Sequence, residues 1–277
     1  MTEQVTTYRE NITTMDLQLD GQTAFVSGST QGIGYAIAED LVREGAHVVV
    51  NGREQHRVDD AVSRLRSIRP EARVSGLVAD LGAADELGAL TASLGEIDIL
   101  VNNVGIFGIA AFQDVPDAEW QRYIDVNLMS GVRLSRHVLP GMLARNRGRI
   151  IFVNSESGVN VPSDMLPYGV SKAASLALAN GLAKLTRGTA VTVNTILGGP
   201  TYSDGVAGSI AQIAESQSMS SDDLKAMIMG GHATTLLQRF IDPREISSLA
   251  LYLASPLSSA TNGAALRADG GALTSLT

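Results

Sequence analysis

The sequence predicts a single α/β domain in which a parallel sheet of about seven strands is covered by helices on both faces. Two observations lead there. Short apolar runs recur at "TAFVS", "AHVVV", "RVSGLV", "IDILVNN", "RIIFVNS", "VTVNTIL" and "AALRADGG", and they are continuous Val and Ile clusters rather than apolar–polar alternations, as strands buried on both faces require. Helical stretches separate the runs, which is the pattern of strand–helix–strand crossovers. A chain of 277 residues can bury a core of this size in one unit.

The elements follow in order. Residues 1–20 are polar and aperiodic and are expected to form a flexible arm, leaving 21–277 as the domain. After the first strand, Ile33, Ile37 and Leu41 share one helix face and Gly45 supplies the stop. "DAEWQRYIDVNLMSGVRLSRHVLPGML" is read as a helix capped by Asp117 and interrupted near Pro140. A third helix starts at Pro167, and a fourth at Pro243 behind the cap Asp242. Residues 202–232 break the alternation. They are rich in Ser, Gly and Met and are expected to form a substrate lid, being too short for a core of their own.

Composition narrows the function. A formal net charge of −8, with scattered basic residues, argues against a nucleic-acid surface. The absence of cysteine excludes disulfides, thiolate nucleophiles and zinc–cysteine sites. His47, His56, His137 and His232 are far apart, so no metal site is expected. The first ten residues have neither the basic nor the apolar region of a signal peptide, and no apolar run suits a membrane span; a cytoplasmic location is expected.

The first strand runs directly into "SGSTQGIG". Glycines at such a turn let a backbone approach a pyrophosphate, and the helix start attracts its charge. The spacing of Gly28, Gly32 and Gly34 is G-x-x-x-G-x-G, which differs from the G-x-G-x-x-G dinucleotide fingerprint.

Together with "NNVG" after the fourth strand, "DVN" in a helix, "NSESG" after the fifth strand and "YGVSK" in the next helix, this turn resembles the short-chain dehydrogenase/reductase family in motif order and separation. The resemblance runs from about Leu19 to Gly271. It implies one doubly wound Rossmann-type domain with NAD or NADP at the carboxyl ends of the strands. It also implies a homodimer or homotetramer and a small carbonyl or alcohol substrate.

Carried over position by position, the resemblance places Gly28, Ser29, Thr30, Gly32, Ile33 and Gly34 at the cofactor. Asp80 and Leu81 match its adenine contact, and Asn103 and Gly105 its N-N-A-G loop, with Val104 in place of alanine. Gly199 and Thr201 stand where the family holds the nicotinamide amide, although Gly198 replaces the usual proline. At the end of the second strand NAD users carry an acidic residue, whereas this chain has Gly52 and then Arg53. A guanidinium suits a 2′-phosphate, so NADP(H) is favoured, with NAD(H) possible.

Tyr168 and Lys172, four residues apart, share a helix face. A free tyrosine has a pKa of about 10, and a neighbouring ammonium favours its anion. The resemblance makes Tyr168 the acid–base group, Lys172 its partner and a ribose ligand, Ser155 the donor to the substrate oxygen, and Asn127 the support of a proton relay. Ser157 competes with Ser155, but the gap to Tyr168 fits Ser155. The reading is an NADP-preferring oxidoreductase acting on a carbonyl or secondary alcohol. A non-catalytic NADP sensor and a dehydratase or epimerase of the same fold are the alternatives. Ile106, Phe107, Val159 and Met165, with Met219, Leu224, Met227, Ile228 and Met229 of the lid, suggest a bulky or apolar carbonyl. Oxoacyl thioesters, steroids, sugars and xenobiotic ketones stay open.

Overall fold

In the computed structural model of the chain, which describes residues 15–216, 219–231 and 234–275, all seven apolar runs are strands. They are β1 (Thr23–Val26), β2 (His47–Gly52), β3 (Val74–Val78), β4 (Ile99–Asn102), β5 (Gly148–Ser155), β6 (Val191–Gly198) and β7 (Ala265–Ala268). The sheet is parallel throughout, in the order β3-β2-β1-β4-β5-β6-β7. β1 pairs with both β2 and β4, so the chain reverses its winding there and leaves a crevice beyond the carboxyl ends of β1 and β4.

Successive side chains of a strand point to opposite faces, and two cores result. Val26, Val48, Val101 and Ile196 pack on one side against α1 (Gly32–Arg43), α2 (Gln55–Arg66) and α9 (Pro243–Ala254). Phe25, Leu100, Ile150 and Val193 face the other side, under α3 (Ala84–Ser93), α5 (Ser130–Ala144) and α6 (Leu166–Leu185). The Rossmann-type doubly wound arrangement expected from the sequence is therefore present.

The stop of α1 is as expected, with Gly45 at φ +86°. So is the start of α9: Asp242 accepts the Arg244 N–H, and Glu245 reaches back to the Asp242 N–H, closing a capping box. Replacing Asp242 by alanine should cost about 1 kcal/mol. Thermal denaturation should show it as a fall in Tm of roughly 2 °C.

The long helix differs from expectation. Asp117 is the first residue of α4 (Asp117–Ile124), behind Pro116, and caps nothing. The interruption is a π-helical turn at Asp125–Met129, and α5 continues through Pro140. Proline frees the carbonyl one turn earlier; here that belongs to Arg136, a residue exposed like Pro140.

Two boundaries also move. Residues 1–14 of the expected arm lie outside the described residues, but Leu19 is fully buried and Leu17 packs on the same core, so the domain begins before residue 21. The 202–232 segment forms α7 (Asp204–Ser216) and α8 (Ser221–Gly231). These two helices do have a small core: Ile210, Ala214 and Leu224 are buried, with Tyr202, Met219, Ile228 and Phe240 around them. His232 lies outside the described residues. Among the described residues no helix is long and apolar enough to cross a membrane.

Candidate active site

The glycine turn is held by two asparagines. Asn51, at the end of β2, accepts the Gly28 N–H at 3.2 Å and donates to the Leu77 and Ala79 carbonyls. Asn103 donates through Nδ2 to the Ser27 and Gly28 carbonyls, both at 3.0 Å. Gly28 and Gly32 have φ of +59° and +62°, where a side chain is strained. Gly34 serves by close packing: a Cβ there would stand 2.5 Å from both the Gly28 carbonyl oxygen and Asn103 Nδ2. Ser29 is buried, and its hydroxyl donates to the Val26 carbonyl, so it shapes the turn rather than facing a ligand.

A cleft of about 650 Å³ opens over this turn. Gly28, Thr30, Gly32 and Ile33 line it from the turn, Arg53, Asp80 and Leu81 from the ends of β2 and β3, and Asn103, Gly105, Tyr168 and Lys172 from the far wall. At its floor the Gly32 N–H, at the start of α1, donates to Asp204 Oδ2 at 2.7 Å. An anion already sits where the helix amide attracts one. With that amide, the side-chain-free cradle and the cleft's extent, these residues fit a nicotinamide dinucleotide.

Two expected contacts are placed elsewhere. Gly199 lies so close to the backbone of Asp269 that a Cβ would stand 2.5 Å from its oxygen. Thr201 is buried and donates to the Gly199 carbonyl. Both are used within the fold, and from this segment Ser203 and Gly205 line the cleft instead.

The end of β2 is more basic than the sequence reading found. Arg57, one turn into α2, also lines the cleft; it donates to Gln31 Oε1 at 3.3 Å and pairs with Glu54 at 3.2 Å. Its four-residue spacing from Arg53 was the available signal. Gly52 is buried, and a Cβ there would meet Thr30 Cγ2 at 2.5 Å. Packing therefore closes the position at which NAD users are expected to carry an acid.

Tyr168 and Lys172 stand on the far wall, with Ser155 and Asn127 beside them. Ser155 ends β5, while Tyr168 and Lys172 lie one turn apart on α6. Lys172 Nζ donates to the Val153 carbonyl at 3.1 Å and lies 5.7 Å from the Tyr168 ring centre. Asn127 comes from the π-helical turn. Its Oδ1 accepts the Ile106 N–H at 2.7 Å, and its Nδ2 donates to the Ile106 carbonyl and to Ser171 Oγ, both at 2.9 Å. A Cβ on Gly105 would stand 3.5 Å from both Asn127 Oδ1 and Lys172 Nζ, so this glycine borders the two groups.

Ionisation departs from expectation. Burial pushes the Tyr168 hydroxyl up to about 12, against a lowering hydrogen bond with Ser155, and the Glu156 charge pushes the same way as burial. Part of the Tyr168 side chain still faces the cleft. Burial brings Lys172 down to about 8, against the Glu156 charge. The expected lowering of the tyrosine by Lys172 is not among the causes of its shift; desolvation, which favours the neutral phenol, leads them.

Ser155 and Ser157 are both buried, but only Ser155 is coupled to Tyr168. The sequence reading missed Glu156, which accepts the Ser155 hydroxyl at 2.6 Å. Its signal was an acid directly after the serine of "NSESG". Phe107 stands edge-on to Tyr168 at 6.4 Å and lines the cleft with Ile106, whereas Leu224, Met219 and Ile228 turn into the small core of α7 and α8.

A model of the short chain dehydrogenase family matches residues 22–213. The chain is 43% identical over 266 residues to an uncharacterized oxidoreductase, YvrD, of Bacillus subtilis (strain 168), covering 95% of this chain and 100% of that one. It is 32% identical over 257 residues to a D-beta-hydroxybutyrate dehydrogenase of Cupriavidus necator, covering 91% and 98%. Its structure is similar to that of L-sorbose reductase from Gluconobacter frateurii in complex with NADPH and L-sorbose. The TM-score is 0.89 at 29% identity, over 95% of this chain and 100% of that one. Motifs, sheet order and these matches agree, and the chain belongs to the short-chain dehydrogenase/reductase family as an NAD(P)-dependent oxidoreductase of small molecules.

Proposed function

We propose that the enzyme prefers NADP(H) and interconverts a ketone and a secondary alcohol with Tyr168 as its acid–base group. The observation that carries this reading is that Tyr168, hydrogen-bonded with Ser155, and Lys172 stand on one wall of the cleft whose other end holds Arg53 and Arg57. Ketone, NADPH and one proton give alcohol and NADP⁺. When bound, the nicotinamide supplies the hydride in reduction and takes it back in oxidation.

The chain's own residues orient the substrate and manage the proton. Ser155 Oγ donates to the carbonyl oxygen, drawing charge onto it. The Tyr168 hydroxyl holds its proton across the neutral range and gives it to that oxygen as negative charge develops there. Lys172, anchored on the Val153 carbonyl, supplies a positive field to the phenolate that is left. Asn127 fixes the 106 backbone beside Lys172, supporting the relay that returns a proton. Arg53 and Arg57 favour a 2′-phosphate. The NADPH in the L-sorbose reductase complex supports the cofactor choice, and its sugar ketone supports the reaction class.

Nicotinamide absorbance with a panel of ketones and alcohols, run with both cofactors, tests the reading. Turnover should favour NADPH, and Arg53→Ala should lower kcat/KM for NADPH by at least about tenfold, the value of one charge-assisted contact, while sparing NADH. Equal losses with both cofactors would remove Arg53 as the selector, and turnover that favours NADH would remove the cofactor preference.

A further inference from the structure

The basic end of the cleft also carries an acid. Glu54 lines it beside Arg53 and Arg57. It is the N-cap residue of α2, yet its carboxylate caps no α2 amide. Instead Glu54 Oε2 stands 3.2 Å from Arg57 Nε, with His56 Nε2 at 3.5 Å from the same oxygen. Arg57 therefore has two acceptors before any ligand arrives, Glu54 and, through Nη1, Gln31 Oε1 at 3.3 Å. Arg53 is exposed and, among the described residues, has no ionic partner.

The two arginines thus meet a phosphate on different terms. An anionic 2′-phosphate is free to pair with Arg53. To gain Arg57 it must take the guanidinium from Glu54, whose charge then repels it. A ribose 2′-hydroxyl makes the opposite demand, since it is a donor and needs an acceptor. In NAD users an acid at the end of the second strand supplies one. Here a Cβ at Gly52 would stand 2.5 Å from Thr30 Cγ2, so that place is closed. Asp80, at the end of β3, already accepts the Gly82 N–H at 2.9 Å. Glu54 lines the cleft two residues after Gly52, and its Oε1 takes part in neither ion pair.

We propose that Glu54 is a specificity-determining residue for the cofactor. It competes with the 2′-phosphate of NADP(H) for Arg57 and accepts the 2′-hydroxyl of NAD(H), so the preference for NADP(H) is held down and both cofactors are usable. The proposal deepens the cofactor reading above and rests on it.

Fluorescence titration with NADPH and with NADH reads both halves without turnover. In Glu54→Gln the charge is gone and an amide oxygen remains. Its Kd for NADPH should fall by about fivefold or more, because no ion pair is broken and no repulsion is felt. Its Kd for NADH should change by less than about twofold, since an acceptor is still present. In Glu54→Ala the gain for NADPH should persist, whereas NADH should bind about fivefold more weakly for want of the acceptor. Neither substitution removes a helix cap, so both variants should fold. In an Arg57→Ala background the effect of Glu54→Gln on NADPH should shrink to about twofold, with only repulsion left to remove. A merely structural role for Glu54 would move both cofactors the same way and would not depend on Arg57. NADPH binding that is unchanged or weaker in Glu54→Gln, or NADH binding that is unchanged in Glu54→Ala, overturns the proposal. A wild type that binds NADH more tightly than NADPH overturns the NADP(H) preference instead, and the changes in the two variants still decide the part of Glu54.

Discussion

Tyr168→Phe should reduce carbonyl reduction by about 10²- to 10⁴-fold, the usual contribution of a positioned acid. The ring keeps its edge-on contact with Phe107, and the Val153 anchor of Lys172 is untouched, so packing and cofactor binding should survive. Fluorescence titration with NADPH should accordingly give a Kd near that of wild type. Retained activity would mean that another group donates the proton, and lost NADPH binding would mean that the ring, not the hydroxyl, is what matters. The pH profile sharpens the test. Tyr168 is pushed up to about 12, so the phenol stays protonated and competent for reduction well above neutrality. Lys172 is brought down to about 8 and loses its charge as pH rises through that value. Wild-type reduction should therefore decline above about 8 through Lys172, before Tyr168 itself deprotonates.

Gly34→Val should damage both stability and cofactor affinity. A Cβ at this position would stand 2.5 Å from a main-chain oxygen and from a side chain that is itself bonded to the turn, so neither neighbour can yield cheaply. We expect a cost of about 3 kcal/mol, toward the top of the range for overpacking. The α1 start must shift to relieve it, and NADPH affinity should fall by at least about tenfold, or 1.4 kcal/mol. Gly181→Ala is the contrast. Gly181 lies in α6, is exposed, and a Cβ there meets nothing within 4 Å. That substitution should stabilise the protein by roughly 0.5–1 kcal/mol. Equal Tm changes in the two variants would show that close packing at Gly34 is not what makes it necessary.

Strand positions were legible because Val and Ile runs have one common use, burial between two helical layers, and all seven runs became strands. Asp242 and Gly45 were legible for the same kind of reason, since capping and left-handed turns depend on neighbouring residues only. The π-helical turn at Asp125–Met129 was not, because nothing in "DVNLM" marks where a helix widens. Its effect is to bring Asn127 against Ile106 and Ser171, contacts of long range in the chain. Pro140 misled because its cost depends on whether the freed carbonyl reaches water, which sequence does not show. Arg57 and Glu156 were passed over as ordinary charged residues; only the approach of Gln31 and of the Ser155 hydroxyl gives them a part in the site.

The contact between Asp204 Oδ2 and the Gly32 N–H ties the start of α7 to the glycine turn at the cleft. A cofactor phosphate that claims this amide must displace the carboxylate. The same free energy then appears twice, as a penalty on cofactor affinity while Asp204 holds the amide and as a loss to the start of α7 once a phosphate takes it. By thermodynamic reciprocity these are equal. Asp204→Asn, with its charge gone, should bind NADPH more tightly, which fluorescence titration would show as a lower Kd. Cofactor affinity and the anchoring of α7 are thus a single equilibrium, set by one hydrogen bond.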